Sequence, residues 1–378
     1  MEKSPLKRIL LLNALSIYGG GEFFVYQFAE LLKKKDFEVW VSCRKDNLIY
    51  KKCEEAGINL FHVDYPVKGN RKVFRNTLKL RKFIKEKNIQ LVHTNTNYDR
   101  TAGAFAACLC GIPVITTNHS FHSIEYNPTH WLRNKSLINH FIVDGQCTMD
   151  LLIERDNIKS EKITLIHLGI DPETMKRDES LRKKIRSEFE IRDDEIIIGN
   201  VARMVEFKGQ EYLLRAAAEI IKEKPNVRFM IVGSGKLESY LHEIAKQLNV
   251  ANKIIFTGFR DDLQAIYSSF DIYAHTSVEG GGETFPYALL YALAQGLACV
   301  VTRVGDVPAM VIDGLNGFVV EDKNISAIAE KLNEIISDKS LKEKFGNASY
   351  EHLIANFTQD KMVQKIIGVY QKTYSSFR

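Results

Sequence analysis

Between Glu279 and Gln295 the chain reads Glu-Gly-Gly-Gly-Glu-Thr-Phe-Pro-Tyr-Ala-Leu-Leu-Tyr-Ala-Leu-Ala-Gln. A glycine triplet leads to the carboxylate of Glu283. Three residues later Pro286 suits the first position of an amphipathic helix, where φ is fixed and no N–H is wasted. The spacing predicts Glu283 beside a helix N-terminus, whose unbonded N–H groups and positive dipole end attract anions. Such a pairing suits a ligand with a sugar at one end and a phosphate at the other. Taken alone, the segment reads equally well as an acidic, glycine-rich surface loop ahead of an ordinary helix.

A second segment, Arg203-Met-Val-Glu-Phe-Lys208-Gly209, places two cations on one loop between a strand and a helix. Arg offers a planar fork and Lys a point charge, and the two can converge on a diphosphate. Cations on a surface loop are ordinarily just solvated. Together with the Glu283 loop, however, they read as one ligand site.

Other nucleotide and hydrolase solutions fail on spacing. Gly233-Ser-Gly-Lys236 is followed by Leu237 and lacks the earlier glycine of a P-loop. Gly19-Gly20-Gly21 opens a helix but lacks the third glycine of a dinucleotide fingerprint. No GxSxG nucleophile elbow occurs. The six cysteines show no CxxC spacing and read as reduced, mostly buried thiols of a cytosolic protein. The acidic pairs Asp193-Asp194 and Asp261-Asp262 have no third ligand nearby and read as caps or solvated turns, so no metal site is assigned.

These loops need a scaffold, and the pattern supplies one. The 378 residues suffice for two domains, and 45% hydrophobic content with 26% charged is ordinary globular composition. No apolar run is long enough to span a bilayer, and the apolar run at 9–12 is too short for a signal-peptide core. A net charge of +5 argues against nucleic acid as the main partner. Residues 1–180 carry 27 Lys and Arg against 21 Asp and Glu, and nine of those cations fall between Lys68 and Lys87, opposed only by Glu86. Val73, Phe74, Leu78, Leu80, Phe83 and Ile84 interleave there at helical spacing. That segment reads either as a core-packed surface helix or as a basic amphipathic helix for an anionic membrane.

Short apolar runs alternate with helical patterns throughout, which predicts a parallel α/β architecture. Strands are expected at 9–12, 39–42, 59–62, 91–94, 113–117 and 141–143, with helices at 22–34, 73–87 and 100–109. A strand end and the turn His167-Leu-Gly-Ile-Asp171-Pro172 mark a linker. A second series follows, with strands at 196–201, 228–232, 253–257, 272–274, 298–302 and 317–319 and helices at 210–224, 236–248, 286–295 and 325–337. Two doubly wound units are the economical reading. Ligands of such sheets bind beyond the carboxyl ends of the strands, where the glycine-rich and charged loops fall: Tyr18–Glu22, Asn118-His119-Ser120, 203–209, 233–235, 258–260 and 279–283.

In order and spacing these segments resemble the family 4 retaining glycosyltransferases of the GT-B fold over nearly the whole chain. The resemblance rests on Gly19-Gly-Gly21-Glu22, Ile166-His-Leu-Gly-Ile-Asp171, 203–209, Ile231-Val-Gly233-Ser-Gly235, Thr257-Gly-Phe259, Glu283-Thr-Phe-Pro286 and Val304-Gly-Asp-Val-Pro308. It implies two Rossmann-like, doubly wound parallel-sheet domains facing a cleft. Residues 1–170 would form the acceptor-side domain and 171–357 the nucleotide-sugar domain, with a last helix at about 358–378 returning to the first. By similarity, Arg203 and Lys208 bind the donor diphosphate and Glu283 holds sugar hydroxyls. Backbone around Phe285, Tyr287 and Ala288 approaches sugar or phosphate, Gly20, Gly21 and Gly233 allow close approach, and Phe259 and Arg260 meet the base. His119 faces the donor sugar.

The implied activity is transfer of a sugar, with a UDP-sugar as first choice, to a glycan or lipid-linked acceptor in bacterial-type cell-surface polysaccharide or lipopolysaccharide synthesis. It needs no cofactor or metal: the leaving phosphate takes the acceptor proton while fixed cations meet the developing charge. A cytoplasmic protein, peripheral on the inner face of the membrane through the 68–87 helix, fits this reading. Two departures stand out. Tyr291 occupies the place of the family's second glutamate, which usually holds the ribose, and Ala309 replaces another. A catalytically weakened, membrane-associated homologue and a nucleotide-sugar epimerase or hydrolase of the same fold are the alternatives.

Overall fold

The computed structural model describes residues 4–14, 20–45, 47–65, 70–119, 123–124 and 127–377. Of the positions singled out above, Tyr18, Gly19, Lys68 and Ser120 lie outside these. The chain divides into two compact units, Met1–Leu168 with Asp360–Arg378, and Gly169–Gln359.

The first unit carries seven strands: β1 (Arg8–Leu12), β2 (Glu38–Cys43), β3 (Asn59–His62), β4 (Leu91–Thr94), β5 (Val114–Asn118), β6 (His140–Val143) and β7 (Ile163–Leu165). All pair in parallel, in the order β3-β2-β1-β4-β5-β6-β7. Ile9 through Leu12 are fully buried, as are Leu91 and Val92. This explains their near-continuous apolar runs, since a parallel sheet is covered on both faces. The helix Gln359–Ser376 belongs to this sheet's covering layer, with the Tyr370 hydroxyl 2.5 Å from Nδ1 of His93 on β4. His93 in turn meets Thr117 Oγ1 at 2.6 Å through Nε2. Burial pushes the His93 imidazole down to about 3, so it bridges helix and sheet as a neutral ring.

The second unit has six parallel strands, β8 (Ile196–Val201), β9 (Val227–Val232), β10 (Ile254–Gly258), β11 (Ile272–His275), β12 (Ala298–Thr302) and β13 (Gly317–Val320). Their order is β10-β9-β8-β11-β12-β13. Leu213, Leu214, Ala217 and Ile220 of the helix Gln210–Glu223 join Phe229, Ile231, Ala274 and Val300 in its core. In each sheet successive strands are added on one side and then on the other. The reversals lie between β1 and β4 and between β8 and β11, where an open parallel sheet leaves a crevice beyond its carboxyl edge.

The elements depart from sequence expectation where a local device or a tertiary contact intervenes. The helix expected from residue 100 begins at Asn97, because Thr96 and Asp99 form a capping box that recruits three more residues. The helix Lys339–Asn356 is not evident as a periodic segment. Its buried face is Phe345, Gly346, Ser349 and Leu353, two of them too small or polar to register as apolar. Pro286 is the N-cap of the helix Tyr287–Ala294, with ψ 125°, rather than its first residue.

Candidate functional site

Two of the loops expected to carry chemistry, 203–209 and 279–283, meet at the crevice between β8 and β11. The loop after β8 ends at Gly209, whose φ of 63° puts a would-be Cβ 2.0 Å from the Thr276 carbonyl oxygen, a contact only glycine tolerates. That approach lets the Val278 N–H donate to Phe207 O at 2.7 Å, joining the β8 and β11 loops backbone to backbone. The junction brings Lys208 Nζ onto Oε2 of Glu283 as a close ion pair, with the two side chains only 13% and 9% exposed. Ser277 Oγ donates to the same oxygen at 2.7 Å, and His275 Nε2 lies 3.3 Å from it. Burial alone would push the Glu283 carboxyl up. The Lys208 ammonium and the His275 contact outweigh it and hold the group well below its ordinary value of 4.5. The site therefore keeps an ionised carboxylate and a cation together in a nearly dry place.

Arg203, on the same loop, differs from Lys208. It is exposed, and its guanidinium makes no ion pair or hydrogen bond with a described residue. One cation of the expected pair is thus committed to Glu283 and the other is uncommitted. Gly233 follows β9 with φ 131°, and its Cβ would fall 2.1 Å from the Ala202 carbonyl oxygen, so this glycine serves loop-on-loop packing.

At the end of β10, Phe259 is 76% exposed while Arg260 is held by Glu188 and Asp262. The Arg260 guanidinium, expected to meet a base, is matched here by two carboxylates, and Phe259 is the part of that loop turned to solvent. Phe285 is buried against Phe357, with ring centroids 5.2 Å apart, so only its backbone can serve a ligand. The Ala288 carbonyl accepts from Tyr267 Oη at 2.8 Å. Tyr287 and Tyr291 share one face of their helix, 6.3 Å apart, and Tyr291 stands edge-on to Tyr267.

In the first unit, His119 follows β5 and Asp144 follows β6. The parallel register Asn118↔Val143 sets the two side by side, and His119 Nδ1 lies 2.9 Å from Asp144 Oδ2. The Phe24 ring packs against the imidazole at a steep angle, with centroids 4.7 Å apart. Gly20 and Gly21 form the first turn of the helix Gly20–Lys34, and a Cβ on Gly21 would meet nothing within 4 Å. The crevice between β1 and β4 is spanned by Asp99. It accepts from Ala14 N, Asn95 N, Thr96 N and Thr96 Oγ1 at 2.6–3.2 Å. Burial pushes its carboxyl up to about 7, against those bonds and the Arg100 guanidinium.

Sequence reasoning did not single out His275, Ser277, Asp144 or Asp99. The available signal was positional: each is a polar residue at, or a few residues beyond, the end of a buried apolar strand. Asp194 pairs with Arg192 and Asp262 with Arg260, and no cluster of metal-binding side chains occurs among the described residues. The basic segment is the helix Asn70–Glu86, which buries Leu80, Phe83 and Ile84 and exposes Leu78 and, by 66%, Phe74. No helix among the described residues is long and apolar enough to cross a membrane.

Residues 18–174 match the sequence model of Glycosyltransferase Family 4, and residues 182–352 that of Glycosyl transferases group 1. The chain is 24% identical over 384 residues to the Escherichia coli UDP-Gal:alpha-D-GlcNAc-diphosphoundecaprenol alpha-1,3-galactosyltransferase, covering 96% of each. It is 27% identical over 301 residues to an uncharacterised glycosyltransferase of Methanocaldococcus jannaschii, covering 74% of this chain and 75% of that one. Two solved structures share the fold. A Rickettsia africae glycosyltransferase superposes with a TM-score of 0.89 at 20% identity, covering 99% of this chain and all of that one. Anabaena HepE in complex with UDP superposes with a TM-score of 0.85 at 21% identity, covering 97% and 100%. Between them the two sequence models span most of the chain, their junction falls close to the boundary between the units, and both sheets have the Rossmann-like order. The protein is a GT-B glycosyltransferase, a member of the group 1 and family 4 glycosyltransferases.

Proposed function

We propose that this glycosyltransferase takes its sugar from a nucleotide-diphosphate sugar, UDP-linked as first choice, and transfers it with retention to a glycan or lipid-linked acceptor in cell-surface polysaccharide or lipopolysaccharide synthesis. The observation that carries the reading is the division of labour between β8 and β11. Lys208 is locked to an ionised Glu283, while Arg203 stands uncommitted on the same loop. Glu283 receives sugar hydroxyls, Arg203 and Lys208 meet the diphosphate, and the departing phosphate takes the acceptor's proton on the same face. His119, steadied by Asp144, is proposed as a further contact to the donor sugar. The UDP bound to HepE and the UDP-galactose in the name of the E. coli relative support the choice of donor. No metal or cofactor enters the proposal.

Calorimetry with UDP, GDP and ADP and their sugars, followed by turnover in EDTA, tests it. A UDP-sugar should bind and be consumed with the chelator present. A chelator-dependent loss restored by Mg²⁺ or Mn²⁺ would overturn the metal-free reading, and donor consumption without an acceptor would favour a hydrolase or epimerase.

Tyr291 favours a second reading. A phenol in place of the family's carboxylate offers one neutral hydrogen bond where two charged acceptors would sit. A catalytically silent homologue would bind no nucleotide, and Tyr291→Glu would create binding. For the protein's location we propose the cytoplasmic face of an anionic membrane, through the basic helix and its exposed Phe74 and Leu78. Co-sedimentation with anionic vesicles that weakens as salt rises is the expected result.

A further inference from the structure

Every hydrogen bond and ion pair that Glu283 makes to a described residue ends on one oxygen. Lys208 Nζ, Ser277 Oγ and His275 Nε2 all meet Oε2. Ser277 has a single hydroxyl hydrogen. Because the 2.7 Å contact to an ionised carboxylate uses it, Ser277 Oγ can only accept from His275 Nε2, 3.2 Å away. The hydrogen between His275 and Ser277 therefore sits on Nε2. The ring is 1% exposed, and its Nδ1 is buried without a hydrogen-bond partner among the described residues. A hydrogen on Nδ1 would be a buried donor with no acceptor, so the tautomer that satisfies the ring's hydrogen bonds carries its hydrogen on Nε2 and leaves Nδ1 bare. On its other side His275 stacks at 6.4 Å on the ring of Tyr273, whose hydroxyl is occupied with the Val201 carbonyl.

We infer that His275 is a positioning residue for Glu283. As the neutral Nε2–H tautomer it gathers the protein's donors on Oε2 and leaves Oε1 as the acceptor for a ligand hydroxyl. Without that donor the carboxylate can rotate to share Lys208 between both oxygens, and Oε1 is no longer open. The identity of the ligand as a nucleotide sugar rests on the proposed function, whereas the tautomer and the orientation of the carboxylate do not.

His275→Phe keeps a ring against Tyr273 and removes both nitrogens, and His275→Gln returns an amide N–H near the place of Nε2. In His275→Phe, kcat/KM for the UDP-sugar should fall roughly tenfold, the scale of one hydrogen bond to a charged group, with UDP affinity within about twofold of wild type. The acid limb of its pH profile should move to higher pH, since Glu283 loses a contact that favours its charged form while keeping Lys208. His275→Gln should recover most of the loss. Should His275→Phe not fold, Ser277→Ala removes another donor from the same oxygen and predicts the same split.

Nitrogen NMR of the wild type should show a neutral ring protonated at Nε2. Carbon NMR of the Glu283 carboxyl should show it titrating higher in the variant. An Nδ1–H tautomer, an imidazolium, an unmoved Glu283 titration, or equal losses of UDP binding and turnover would each overturn the inference. If the wild type consumes no nucleotide sugar, the proposed function fails alone, and the two NMR readings still decide the role of His275.

Discussion

Both sheets reverse their strand order at equivalent places, and a carboxylate spans each reversal. Asp99, between β1 and β4, is held by three backbone N–H groups and a threonine hydroxyl, and burial pushes it up to about 7. Glu283, between β8 and β11, is held by a lysine, a serine and a histidine and lies well below its ordinary value. One topological crevice is closed by a group that satisfies the backbone; the other holds a charge in readiness. The difference shows that position at a switch point marks a site only when the groups meeting there exceed what the fold itself requires.

The largest effect expected from this contrast is on Lys208. Lys208→Ala leaves Glu283 ionised and buried without its cation. It should cost about 3–5 kcal/mol of stability as well as turnover, and Lys208→Ala with Glu283→Gln should recover part of that stability. Urea unfolding of the single and double variants is the measurement. Equal stabilities for wild type and Lys208→Ala would mean that the pair does no more for the fold than an exposed one.

The two carboxylates should also respond to pH with opposite sign. Asp99, raised from 3.8 to about 7, binds more protons folded than unfolded in that window. Its stabilisation is complete below 3.8 and is lost as pH rises through about 7. Glu283, lowered from 4.5, contributes stability above that value and loses it as pH falls. The cost of Asp99→Asn should therefore shrink as pH rises from 4 to 8, while that of Glu283→Gln should be full at neutral pH and shrink below 4.5. Each slope is limited to about 1.4 kcal/mol per pH unit. Parallel pH dependences for the two variants would break the comparison.

Arg203→Ala should separate binding from folding. Its guanidinium makes no ion pair or hydrogen bond with a described residue, so the melting temperature should hold while nucleotide affinity drops by about 1.5–3 kcal/mol, the value of hydrogen bonds to a charged group. A loss of stability comparable with that of Lys208→Ala would erase the distinction between the two cations. The smallest effect belongs to Gly21→Ala. A Cβ there meets nothing within 4 Å, whereas one at Gly233 would lie 2.1 Å from a carbonyl oxygen. Gly21→Ala should leave stability within a few tenths of a kcal/mol and Gly233→Ala should not; calorimetric melting of both variants checks this.

Much of this was legible without coordinates. Apolar runs such as Ile9–Leu12 announce strands buried on both faces, and Arg203, Lys208 and Glu283 declare themselves by charge at predicted strand ends. Burial periodicity and turn chemistry are local, so a local pattern encodes them. What the sequence could not decide is which strand lies beside which. The neighbour of β1 is β4 and that of β8 is β11, and only that order sets Ala14 against Asp99 and Lys208 against Glu283. Register along β5 and β6 likewise pairs His119 with Asp144. Atom-level choices lie further still from any pattern. That Lys208 is committed and Arg203 is not, and that Oε2 rather than Oε1 of Glu283 collects the donors, follows from two loops joined backbone to backbone by the 2.7 Å hydrogen bond from Val278 N–H to the Phe207 carbonyl. Residue types and their spacing determined the kind of chemistry this protein carries, while the tertiary fold determined how its charges are shared, because contacts between distant segments are fixed by strand order and register.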